Sequence, residues 1–152
     1  MDPSGNVFGT TVAGGSGPNC PYNSGCGVVF ERTSGGTYQV LYDFCSVANC
    51  TDGLEPYSGV IMNSSGNLVG ATFYGGSGQY AQTGGSGAAF ELTNSRGVWS
   101  ETVLHSFCSL SGCTDGEFPF SNPVADTSGR IFATSQGGAA SQGGNAFELK
   151  PR

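Results

Sequence analysis

The sequence predicts an all-β fold built from antiparallel four-stranded blades of a β-propeller, incomplete within one chain. Three observations lead there. A nine-residue cysteine motif recurs at a fixed spacing, 27 of the 152 residues are glycine, and no segment carries a sustained helical period. Interior glycine disfavours a helix by roughly 1 kcal/mol relative to alanine, whereas turns between short strands accept it.

The repeat is the strongest signal. CSVANCTDG (45–53) returns as CSLSGCTDG (108–116), an offset of 63. Pro56-Tyr57-Ser58 returns as Pro119-Phe120-Ser121 at the same offset. Ser65-Gly66-Asn67-Leu68 echoes Ser4-Gly5-Asn6-Val7 and Ser128-Gly129-Arg130-Ile131. Ala89-Phe90-Glu91 echoes Val29-Phe30-Glu31 and Ala146-Phe147-Glu148.

Four strand-like segments fit one unit, at about 57–62, 67–74, 87–93 and 99–107. In the last, Trp99, Glu101, Val103 and His105 alternate with Ser100, Thr102, Leu104 and Ser106. Four antiparallel strands per repeat make a propeller blade. The chain reads as one tandem-repeat domain over 1–152, with a partial blade at 1–54, a full blade at 55–117 and a partial blade at 118–152. Met1 aligns with Met62, so three, four and three strands are expected in turn. Open sheet edges invite pairing. The expectation is a homo-oligomer, with a dimer of half-propellers as the simplest closed ring.

Connection lengths alternate. Asn63–Gly66 and Asn94–Gly97 are tight turns, whereas 75–86 and 108–117 are long. In an up-and-down meander the long connections emerge on one face, and elaborated loops on a rigid scaffold are where function usually sits.

Composition narrows the partners. The net charge is −6 with only five Lys and Arg, too few to track phosphates or an anionic membrane surface. No apolar run approaches a membrane span. Cys20 and Cys26, Cys45 and Cys50, and Cys108 and Cys113 lie close in sequence, which suggests disulfides and an oxidising, secreted or cell-surface setting. Paired Cys-x2-Cys zinc spacing is absent.

Site candidates follow from the loops. Asp52 and Asp115 sit in Thr-Asp-Gly, with Glu55 and Glu117 nearby. They read either as a carboxylate ring for Ca2+, another divalent ion or sugar hydroxyls, or as Asx turns that cap local N–H groups, and the turn is favoured. Tyr57 and Phe120 enter the strand nearest the channel, where they line its mouth or pack between blades. His105, the one histidine, aligns with Tyr42. A position that accepts either ring favours structure over a metal ligand or general base. Glu31, Glu91 and Glu148 recur too far apart for paired glycosidic carboxylates. The Gly-Gly-Ser-Gly stretches lack the lysine and helix of a phosphate loop and read as flexible connections. There is no Gly-x-Ser-x-Gly elbow.

GNLVGAT (66–72), AFELT (89–93), WSETVLHSF (99–107), SGNVFGTT (4–11) and TDG (114–116) together resemble the GloVer tandem repeats of bacterial "choice-of-anchor" extracellular proteins. The resemblance spans essentially the whole chain. It implies a secreted or surface-attached protein with propeller-like blades and supplies no catalytic residues.

The leading expectation is an extracellular binding or scaffold module for carbohydrate or a small polar molecule, at the loop face or channel. The alternative is a hydrolase of esters, phosphoesters or glycosides, with or without a metal. Its site would form in the channel or between chains from the loop-face carboxylates and His105. A fibre built by edge pairing is a third reading.

Overall fold

The computed structural model describes residues 1–138 and 143–151. The first sheet holds β1 (Val7–Thr11), β2 (Val28–Arg32) and β3 (Tyr38–Asp43) in that order. The second holds β4 (Ile61–Met62), β5 (Leu68–Thr72), β6 (Ala88–Ser95) and β7 (Val98–Ser106). In the third, β8 (Glu117–Pro119) and β9 (Val124–Ala125) both pair with one edge of β10 (Ile131–Gly137), whose other edge pairs with β11 (Asn145–Leu149). All ladders are antiparallel. The architecture is that of propeller blades in an incomplete ring.

The first strand of the second and third units is shorter than the sequence predicts. Over 57–62 only Ile61–Met62 joins the ladder, and Leu54 makes a separate bridge to Tyr74. The third unit shows the same split as β8 and β9. The cause is local chemistry. Pro56 and Pro119 have no N–H to give, and Glu55 (φ 52°) and Phe118 (φ 58°) turn the chain through the left-handed region. Gly59 N–H donates sideways to Asn122 Oδ1 of the third unit at 2.7 Å.

A second irregularity also repeats. Ala89 faces His105 while Phe90 faces Val103, so Leu104 is an extra residue, and Leu41 is its counterpart in β3. Such bulges re-aim the strand that follows, and here that strand leads into each cysteine loop.

The core lies between sheets. Val29 and Phe44 of the first pack on Leu68, Phe90 and Leu92 of the second. Val69, Ala89 and Phe107 of the second pack on Ile131 and Leu149 of the third. Phe44 meets Phe90 edge-on at 5.1 Å, and Phe107 meets Phe147 in the same way at 4.7 Å. Each fully buried Phe contributes roughly 1.5–3 kcal/mol. Gly70 makes room for the Phe90 ring, because a Cβ there would stand 2.7 Å from Phe90 Cζ.

Both Thr-Asp-Gly segments lie at the same end of the sheets. Gly53 packs on Thr72 at the end of β5, and Gly116 packs on Ser135 near the end of β10. The opposite end carries the tight turns, among them Arg96-Gly97 with both φ values positive, the geometry hairpins favour. Among the described residues no helix is long and apolar enough to cross a membrane.

Candidate functional site

The loop face is held in shape by three disulfides, Cys20–Cys26, Cys45–Cys50 and Cys108–Cys113, and no cysteine is free. They mark an oxidising environment. The glycine stretches expected to be flexible are instead stitched by backbone bonds, such as Gly14 N–H to Ser24 O at 2.6 Å and Gly87 N–H to Gly75 O at 3.0 Å.

Within each cysteine loop the aspartate turns inward. Asp52, 1% exposed, accepts from the Tyr42 hydroxyl (2.8 Å), Ser46 N–H (2.8 Å) and Val47 N–H (3.3 Å). Asp115 accepts from His105 Nε2 (2.9 Å), Ser109 N–H (2.9 Å) and Leu110 N–H (3.2 Å). Desolvation opposes ionisation of Asp115, but the N–H groups of Ser109 and Leu110, together with His105, hold its carboxyl below the ordinary range. Burial pushes the Tyr42 phenol up, reinforced by its bond to Asp52. Tyr42 and His105 thus play one part in two repeats: a ring donor that anchors the loop carboxylate.

Metal ligation finds little support in these positions. The described cluster with ligand atoms close together is Cys108, Cys113 and Glu117, within 4.8 Å of one another. Two of its members are a disulfide, with no thiolate to offer. Ca2+ requires six to eight oxygens, and the donor set here does not fit it. Glu91, 1% exposed, accepts from the Asn63 and Asn67 side-chain amides (3.2 and 2.8 Å), a structural role. Glu31 accepts from Gln39 Nε2 at 2.6 Å, and Glu148 is exposed in β11.

One ionisable group escaped the sequence reading. Glu101 on β7 is partly buried, and its Oε1 has no hydrogen-bond partner. Burial, followed by the nearby Asp52 charge, raises its pKa to about 8. An acidic residue on the same alternating face as Trp99 and Val103 was the available signal.

The aromatic residues converge. Tyr57 and Phe120 stack at 6.0 Å, although they come from different sheets. Tyr57 also meets Phe73 at 5.1 Å, and Phe73 meets Tyr74 at 4.8 Å and Phe118 at 5.1 Å. Tyr57 is 47% exposed and Phe120 57%. The Tyr57 hydroxyl points at Glu55 Oε2, 3.5 Å away, and the Glu55 charge raises the phenol pKa. Tyr74 in turn lines a cleft of about 570 Å³ between loops of the first and second units, with Tyr22, Leu54, Asn19, Asn49 and Gln82. A smaller pocket of about 310 Å³ adjoins Phe120, lined by Ser121, Thr134, Ser135 and Gln136. Of the six residues expected to bind ligand, the structure brings Tyr57, Phe120 and Glu55 together on the aromatic ridge. It sends Asp52 and Asp115 into their loops, and it lays Glu117 against Gly137 and the Cys108–Cys113 disulfide.

The class defined by this geometry is an incomplete propeller with its elaborated loops on one face. Among solved structures the chain superposes on an X-ray structure described as a "putative gluconolactonase", with a TM-score of 0.53 and 18% sequence identity. All of this chain is covered, and it spans 47% of that one, about half its length. At that identity the likeness concerns the fold. No protein-family model matches the chain, and no curated protein matches it.

Proposed function

We propose that this chain is an extracellular binding module of the GloVer type, which takes neutral carbohydrate in the loop-face cleft. The observation that carries the reading is the composition of that cleft. Tyr22 and Tyr74 supply flat apolar rings, while Asn19, Asn49 and Gln82 supply side-chain amides able to donate and accept. Few precisely placed polar groups on an apolar floor are what small-ligand sites use. A pyranose ring offers the matching surfaces, a C–H face and a rim of hydroxyls. The net charge of −6 disfavours acidic sugars. The three disulfides support an extracellular setting. The test is a glycan array followed by titration calorimetry. Wild type is expected to bind neutral glycans, with Tyr22→Ala weakening binding about tenfold, the scale of about 1.4 kcal/mol. Array silence would refute the reading.

A second reading, a hydrolase, is favoured by the fold shared with the gluconolactonase-described structure. His105 and Asp115 form its acid–base pair in that case. Turnover of sugar lactones that depends on added divalent metal and is lost in His105→Ala would establish it over the binding module.

A further inference from the structure

Resting on the carbohydrate reading, we infer that the loop face carries a second subsite at Phe120, and that the preferred ligand is a linear neutral oligosaccharide rather than a single sugar. Two concavities lie on this face. One is the cleft at Tyr22 and Tyr74, and the other is the pocket formed by Phe120, Thr134 and Gln136. They are joined by an uninterrupted ridge of rings: Tyr74 to Phe73 at 4.8 Å, Phe73 to Tyr57 at 5.1 Å, and Tyr57 to Phe120 at 6.0 Å.

The ridge is a product of the repeat. Tyr57 and Phe120 occupy the same place in successive units, each directly after a proline and each in the non-strand stretch ahead of a two-residue strand, β4 or β9. The left-handed residues before them, Glu55 and Phe118, swing these segments toward the neighbouring sheet. Rings placed by one repeat rule lie in series, and a ligand with its own repeating units can meet several of them. Tyr57 and Phe120 are about half exposed, which a purely packing role would not require. Stacking and burial at each ring add to affinity until the ridge ends. Linked binding units also gain from effective concentration once the first is docked.

The experiment is calorimetric titration of the oxidised protein with glucose, with the maltose series to maltotetraose, and with the cellobiose series to cellotetraose. In at least one series affinity is expected to rise about tenfold or more from one unit to three. Phe120→Ala should abolish that rise and leave the shortest bound member unchanged, whereas Tyr22→Ala should weaken every member. Circular dichroism of both variants controls for folding, and Thr134→Trp, which fills the smaller pocket beside Phe120 and removes no ring of the ridge, gives a second block of the longer ligands. Affinity that is flat with length, or a rise that survives both Phe120→Ala and Thr134→Trp, overturns the second subsite and leaves the cleft reading intact. No binding by any sugar overturns both.

Discussion

An aspartate in a Thr-Asp-Gly turn can await a ligand or hold its own loop, and its neighbours decide which. Asp52 accepts three hydrogen bonds with 1% of its surface exposed. Removing it leaves the Tyr42 hydroxyl and two loop N–H groups without their acceptor. Asp52→Ala is therefore expected to lower the unfolding free energy by about 2–3 kcal/mol, measured by urea titration. Asp52→Ala that matches wild type would return Asp52 to the pool of ligand-binding groups. Glu101 gives the opposite kind of residue, one kept neutral by its surroundings. Its folded pKa lies near 8, above the ordinary 4.5. The folded protein then holds a proton that the unfolded chain has released. Its stabilising contribution is complete below the ordinary value and disappears as pH rises to the folded value. Urea midpoints are expected to fall between about pH 5 and pH 8 in wild type, and Glu101→Gln should flatten that decline. An equally steep decline in Glu101→Gln would assign the pH dependence elsewhere.

At the scale of the element, the loops behave as ordered parts. Gly78 lies so close to the chain that a Cβ would stand 2.0 Å from the Phe107 carbonyl oxygen, and Gly17 has the same relation to Phe44. Gly78→Ala should cost about 2–3 kcal/mol by displacing backbone, read from the thermal midpoint. A neutral outcome would mean the loop yields freely. The Cys20–Cys26 bond closes the segment that carries Tyr22 and Pro21 into the cleft. A Cys20→Ser, Cys26→Ser double variant should lose about 2 kcal/mol of stability from loop closure and bind sugar more weakly. Unchanged affinity would separate the disulfide from the site. The elements also show what was legible. Alternation and turn residues located the last three strands of the full unit to within a residue or two. The first was overextended, because the prolines marked its start while the side-chain and cross-sheet bonds that replace its ladder depend on contacts far along the chain. Tyr57 and Phe120 were singled out by Pro-aromatic repetition, and their stacking between units is the packing alternative that repetition also allowed. Tyr22, Phe73 and Tyr74 were not singled out, since only folding brings them beside the others.

For the whole molecule, repetition does two things. It places the two Thr-Asp-Gly cysteine loops at one end of the sheets, where the cleft and the aromatic ridge also lie. It also leaves outer sheets with apolar residues exposed, among them Val7, Tyr38 and Val40 on the first sheet and Val124 on the third. We propose that these faces meet in a self-associated ring, and multi-angle light scattering is expected to report twice the 15.4 kDa chain mass. A stable monomer at high concentration would contradict that closure. The loop-face site is the central functional claim, and hydrogen exchange examines it without disturbing any residue. With the tightest-binding neutral glycan from the array, slowed exchange is predicted in 19–22, 49–54 and 81–84. Protection confined to the tight-turn face, or spread evenly with no focus on those three loops, would contradict it.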